Sequence, residues 1–213
     1  MKDSFDSFIE SNPNQWVINI RGEFKEEAGN YLKSKLGNKL HLSFKDSKKG
    51  WNFDTRELVR EIKSELVMVW VEDHILMNTI SKFNELLEEM YLMKIDILHY
   101  SFFTEENINF YRNFKYEYQG DNLNSWRFDK HLNKYCFKNK LNNKYSVPMM
   151  SIMRKEFFKK VLICPRPYLK RWPISCPFDF EKKIKDKVTE SYSLALPQSE
   201  LFASIDDDHW NKN

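Results

Sequence analysis

The stretch Leu66-Val67-Met68-Val69-Trp70-Val71 is an uninterrupted apolar run, and it passes without a spacer into Glu72-Asp73-His74. The run is too short for a typical buried helix and rich in β-branched residues. It therefore predicts a strand buried on both faces, as in the middle of a parallel sheet. Its neighbours alternate in type. Upstream, Trp16–Ile20 (WVINI) predicts a short strand that ends at Arg21-Gly22. Phe24–Leu36 predicts a helix with Ala28, Tyr31, Leu32 and Leu36 on one face and Gly37 as its stop. Leu40–Phe44 (LHLSF) is a second short strand. A polar loop holding Gly50 and Trp51 then leads to a helix over Arg56–Ser64, capped by Asp54 or Thr55.

Downstream of the run, a helix is expected from Ile75 to Met93 and another apolar strand within Ile95–Phe103. Strands and helices in alternation predict an α/β fold with a mostly parallel, mixed central sheet flanked by helices. Residues 104–146 are polar, Asn- and Lys-rich and aromatic, and predict excursions or edge strands at Asn109–Tyr118 and Asn133–Asn139. Pro165, Pro167, Pro173 and Pro177 crowd one short segment, which predicts an extended loop.

The 213 residues carry 34 Lys+Arg against 31 Asp+Glu, a net charge of +3, with 41% hydrophobic and 15% aromatic residues. Such a chain can bury enough apolar surface to offset its ordering entropy, which excludes a disordered or collagenous protein. A single domain spanning 1–213 is expected. Bases and acids are interleaved along the chain, so no nucleic-acid partner is expected. Cys136, Cys164 and Cys176 are odd in number and lack metal-site spacing, which predicts free thiols. The N-terminus has no basic segment followed by an apolar run, and no window reaches the ~18 apolar residues of a spanning helix. A cytoplasmic location without a transmembrane segment follows, with peripheral contact to a membrane left open.

Three clusters could carry chemistry. Glu72, Asp73 and His74 directly follow the apolar run, and ligands of open α/β sheets bind outside the carboxyl ends of strands. Two carboxylates and an imidazole there can hold a hard divalent cation; alternatively, Glu72 or Asp73 caps the next helix. Asp179 and Glu181 sit at the boundary between the proline-rich loop and an amphipathic stretch, Ile184–Val188. That placement suits a general base, or an N-cap. The third cluster is Asp206-Asp207-Asp208-His209-Trp210, which read by itself is a solvated acidic tail. Trp51, Trp70, Trp172 and Trp210 suit a core, or stacking on a base or sugar ring. P-loop, G-x-S-x-G, G-x-G-x-x-G and H-E-x-x-H patterns are all absent, which argues against the enzyme classes they mark.

With these clusters in chain order, the sequence resembles nucleotide-sugar-dependent glycosyltransferases of the GT-A fold, most like family 2. Ser4–Ser11 (SFDSFIES) is similar to the end of that family's first helix, and Gly50 ahead of Arg56–Ser64 to its glycine-containing loop and helix. Glu72-Asp73-His74 lies where the family keeps its metal-binding Asp-x-Asp motif. Lys144–Phe157 is similar to the acceptor-side strand and helix, Phe178–Lys182 lies where the catalytic carboxylate is expected, and His209 matches a late metal-binding histidine.

The resemblance implies a Rossmann-type nucleotide-diphospho-sugar transferase fold, with a nucleotide-sugar-binding half over 1–103 and an acceptor-side half over 104–213. It implies Mn²⁺ or Mg²⁺ held by Asp73, His74 and His209, and a donor bound near Gly50, Trp51, Glu72 and Asp73. Glu181 is the implied base, with Asp179 next, and the acceptor is a glycan or other hydroxyl compound. The sequence departs from the family by lacking the strand that precedes its first helix, by Glu-Asp-His in place of Asp-x-Asp, and by Lys182 in place of a final acid. These departures motivate the alternative of a truncated or inactive relative acting as a binding or assembly module. A single-strand nucleic-acid binder, from the Lys and aromatic interleaving of Tyr111–Tyr118 and Lys134–Tyr145, is a further alternative.

Overall fold

The computed structural model describes residues 2–46, 50–70, 74–99, 109–139, 151–163 and 191–204. The chain opens with α1 (Lys2–Ile9), followed by β1 (Trp16–Asn19), α2 (Lys25–Leu36) and β2 (Leu40–Ser43). β1 and β2 pair in parallel, Trp16 opposite Leu40 through Asn19 opposite Ser43, with α2 as the crossover. This βαβ unit matches the expected strand, helix and strand to within a residue or two.

Next come α3 (Trp51–Leu58), β3 (Leu66–Met68), β4 (His74–Leu76) and α4 (Ile80–Leu92). α3 starts five residues before the expected Arg56, because Gly50 provides the N-cap in a left-handed conformation (φ 86°) open to glycine at little strain. Ile75 does not begin a helix. It lies in β4, and α4 starts only after Thr79, whose hydroxyl accepts from the Lys82 amide at 3.3 Å.

The remaining elements are β5 (Ile97–His99), β6 (Tyr118–Gln119), β7 (Leu123–Phe128), α5 (Lys130–Lys138), β8 (Ser151–Arg154), α6 (Lys155–Ile163), β9 (Tyr192–Pro197) and β10 (Phe202–Ser204). The expected strand at Asn133–Asn139 is instead the helix α5. Asp129 Oδ1 accepts from the amides of His131 and Leu132, both at 2.9 Å, and Leu132 and Cys136 bury one helical face. Within Asn109–Tyr118 a helical turn and bends replace the expected strand until Tyr118. The proline-rich loop and Ile184–Val188 lie outside the described residues.

The central sheet has six strands in the order β3-β8-β5-β9-β7-β6. Only β5 and β9 pair in parallel; the other four pairings are antiparallel, which corrects the expectation of a mostly parallel sheet to a mixed one. β3, β5, β9 and β6 nevertheless run in one direction, so their carboxyl ends share an edge. Among the described strands β3 pairs with β8 alone and its three residues are half-buried, so Leu66–Met68 of the decisive apolar run form an outer strand rather than a doubly buried one. β3 and β5 precede residue 104 and the other four strands follow it, so both halves of the chain build one sheet.

Side-chain alternation sends two cores to opposite faces. Ile97, Trp126, Phe128, Met153, Leu194 and Leu196 pack under α5 and α6. Leu98, Leu123, Ile152 and Ala195 pack with residues of α1, α2 and α4. Central residues such as Ile97, Leu98, Met153 and Leu194 are fully buried, each contributing roughly 1.5–3 kcal/mol of transfer free energy. The βαβ unit joins the second core through Trp16, Leu32 and Leu36. Gln15 ties it to the approach to β3: its Nε2 donates to the Glu61 carbonyl at 2.8 Å, and its Oε1 accepts from the Lys63 amide at 3.0 Å.

Candidate functional site

The carboxyl ends of β1 and β2 bring the first group of polar residues together. Asn19 brackets the backbone of Lys45, donating from Nδ2 to its carbonyl at 2.8 Å and accepting its amide at Oδ1 at 2.7 Å. Arg21 Nε donates to the same carbonyl at 3.2 Å, and its Nη2 meets Asp54 Oδ2 at 2.5 Å. Asp54, in the first turn of α3, is buried, so this ion pair is held away from most solvent. Outside it, Lys45 Nζ donates to Glu57 Oε2 at 2.6 Å, and that hydrogen bond holds the Glu57 carboxyl below its ordinary range. Gly50 shapes the turn into α3. The half-buried Trp51 packs against the core beneath α5 and α6. Gly50 and Trp51 thus stand beside a charged cluster at a strand-end edge.

The second group forms around β4. β10 pairs with β4 antiparallel, placing Phe202 opposite Leu76 and Ser204 opposite His74. The chain enters β4 directly from Glu72-Asp73 and leaves β10 directly toward Asp206-Asp207-Asp208-His209. Two acidic segments more than a hundred residues apart in sequence are thereby attached to the same end of one strand pair. α1 fastens both flanks of the first segment. Trp70 Nε1 donates to Ser4 Oγ at 3.0 Å, and the Leu76 amide donates to Ser7 Oγ at 3.3 Å. His74 is buried, at 3% exposure.

A polar cavity of about 490 Å³ opens at the far end of the sheet, where the β6–β7 turn meets the chain leaving β9. Arg112, Tyr116, Gln119, Asp121, Asn124 and Gln198 line it. One cation, one anion and four neutral hydrogen-bonding side chains suit a hydroxyl-rich ligand better than an apolar one. Glu89 anchors the turn: its Oε2 accepts from the Asn122 amide at 3.0 Å and from Asn122 Nδ2 at 2.9 Å.

Compared with models of known families and with curated proteins, the chain matches none.

Of the residues the sequence singled out for a binding or catalytic role, the structure describes Gly50, Trp51, Trp70 and His74. Glu72, Asp73, Asp179, Glu181 and His209 lie outside the described residues. Among the described residues no three His, Cys, Asp or Glu side chains stand close enough to hold a metal ion. No helix among them is long and apolar enough to cross a membrane. Sequence reasoning missed Arg21, Asp54 and the pairing partner β10. Arg21 had a usable signal, since it directly follows a strand and precedes a glycine. The β4–β10 pairing had none, because a three-residue strand carries no periodicity to read.

Proposed function

We propose that the chain is a metal-dependent, inverting GT-A-like glycosyltransferase, moving a sugar from a nucleotide diphosphate sugar to an acceptor hydroxyl. One observation carries the reading: the register Ser204 opposite His74, which attaches the Glu72-Asp73 segment and the Asp206–His209 segment to one end of a strand pair. Carboxylates and imidazoles drawn from both segments would supply a donor set suited to a hard divalent cation such as Mn²⁺ or Mg²⁺. Asp73, His74 and His209 would hold it. A bound divalent ion supplies Lewis-acid stabilisation of the charge that develops on a diphosphate leaving group.

The protein residues supply the remainder. Gly50 and Trp51, with Glu72 and Asp73, orient the donor at the strand-end edge. Glu181, or Asp179 beside it, accepts the proton of the acceptor hydroxyl. The freed oxygen attacks the anomeric carbon from the face opposite the diphosphate, whose bond to that carbon breaks, and the configuration inverts. The acceptor is a glycan or another hydroxyl compound.

The test is calorimetric binding of UDP-, GDP-, CMP- and dTDP-sugars, each with and without Mn²⁺, to the parent chain and to Asp73→Ala. One donor class should bind in a divalent-dependent manner and lose that dependence in the variant. A folded protein that binds none of them, or a variant whose divalent dependence is unchanged, would refute the assignment.

A further inference from the structure

We propose that the polar cavity at the β6–β7 turn is a saccharide-binding site, separate from the transferase centre proposed above. The pairing register builds it. Gln119 lies opposite Asn124 and Asn124 opposite Leu196, so Gln119, Asn124 and, two residues past Leu196, Gln198 fall on one face of the sheet. On that same face of β7, Trp126 and Phe128 enter the core beneath α5 and α6. Tyr116 packs on Trp126, with ring centroids 5.0 Å apart and planes at 34°. Trp126 is buried and Tyr116 half-buried, so the inner ring is fixed and the outer ring lines the cavity. Arg112 and Asp121 add one charge of each sign. The site stands at the carboxyl ends of β6 and β9, three to five strand spacings, roughly 14–24 Å, from β3, whose carboxyl end leads toward Glu72-Asp73.

The lining matches a sugar on three counts. Each side-chain amide holds donors and an acceptor in one plane, as neighbouring hydroxyls that both donate and accept require. A fixed aromatic ring offers an apolar surface to the C–H face of a pyranose. The formal charges of Arg112 and Asp121 cancel, which favours a neutral ligand over a phosphate or a carboxylate. The turn is also set in advance. The Gly120 amide donates to the Leu123 carbonyl at 3.0 Å and the Gln198 amide to the Asn122 carbonyl at 2.8 Å, while Glu89 holds Asn122 from α4. Gln198 Nε2 donates to the Gly120 carbonyl, and because a carbonyl only accepts, this contact fixes which end of the Gln198 amide is nitrogen. Little ordering is left to oppose binding. The volume, about 490 Å³, lies within the roughly 300–1,000 Å³ of small-molecule sites. Arg112, Gln119, Asp121 and Gln198 are exposed, so the site is an open depression from which a longer glycan can continue into solvent.

This inference does not rest on the transferase reading, so its test omits metal and nucleotide. The full chain, in EDTA, is mixed with maltotriose, cellotriose, chitotriose and mannotriose in turn and followed by saturation-transfer and amide-resolved NMR. At least one of the four should receive saturation and shift the side-chain amide resonances of Gln119, Asn124 and Gln198, leaving that of Asn19 at the end of β1 unmoved. Loss of one neutral hydrogen bond weakens binding roughly 2- to 12-fold. Gln119→Ala and Asn124→Ala should each raise the Kd by that factor in a chain of unaltered circular dichroism. Asn30→Ala, which removes an exposed amide from α2, should leave it unchanged. Saccharide binding by a chain that binds no nucleotide sugar would leave this site standing and remove only the transferase reading. The proposal is overturned if none of the four saccharides binds, if binding shifts none of the three amides, if Asn30→Ala weakens it as much as Asn124→Ala does, or if citrate at equal concentration displaces the sugar, which would make Arg112 the deciding contact and the cavity an anion site.

Discussion

Two ion pairs stand side by side at the carboxyl ends of β1 and β2, and they should respond to mutation very differently. In the Arg21–Asp54 pair the carboxylate side chain is 3% exposed and the guanidinium 30%, with 2.5 Å between Nη2 and Oδ2. Removing one partner of a buried pair costs about 3–5 kcal/mol, because the other is left desolvated and uncompensated. Arg21 retains some solvent, the Lys45 carbonyl, and Asp46 at 3.7 Å, so Asp54→Ala should fall at about 2–4 kcal/mol. For a chain of this length that lowers the melting temperature by roughly 4–16 °C. The Lys45–Glu57 pair, although as short, is 39% exposed on both sides. Water and salt screen it, and Glu57→Gln should leave the midpoint where it was. Urea unfolding followed by circular dichroism, with equal m-values as the check on comparable exposure, measures both. If Glu57→Gln costs as much as Asp54→Ala, burial does not set the strength of charge pairing at this edge, and the placement of Asp54 is wrong.

Gly120→Ala should destabilise the β6–β7 turn, because the new Cβ would overlap Glu89 Oε1 and approach the Tyr118 ring within 2.6 Å, displacing the carboxylate that holds Asn122. Hydrogen exchange at Asn122 should rise in the variant. In alkaline titration, Tyr111 and Tyr192 should ionise only as the protein unfolds, since burial pushes both hydroxyls up from 10.0. A raised folded-state value means that their contribution is complete below the unfolded value and is lost as pH climbs above it. Among the described tyrosines these two should therefore lag furthest in the absorbance titration. On the acid side, Glu57 is depressed by the Lys45 hydrogen bond, so what it contributes is present above its unfolded value and disappears as pH falls through the folded one. Lys45→Met should return the Glu57 carboxyl resonance to an ordinary titration in NMR.

The sequence was most legible where local signals agree with packing. WVINI and LHLSF are short, β-rich and bounded by glycine or charge, and both are strands. α5 misled because Tyr135, Cys136 and Phe137 favour strands by type, while the buried Leu132 and Cys136, four apart, and the Asp129 cap decide for a helix. Tyr192–Pro197 was passed over as a strand, yet all six residues are buried between β5 and β7. Its partners are set by pairing far along the chain, and local patterning does not encode sheet order. The same limit hid the candidate site. Glu72-Asp73-His74 and the late acidic segment were each visible, but the register that joins them belongs to tertiary structure.

The position of β9 also bears on synthesis. It is the last strand of the large sheet to leave the ribosome, and it fills the slot between β5 and β7. Until Tyr192–Pro197 emerges, Ile97–His99 and Leu123–Phe128 each lack the neighbour that the finished sheet gives them. A nascent chain halted before that point would present two sheet fragments with open, apolar edges, each a template for pairing with another copy. Late insertion of one strand thus makes the emergence of Tyr192–Pro197, rather than any earlier step, the moment at which both cores close.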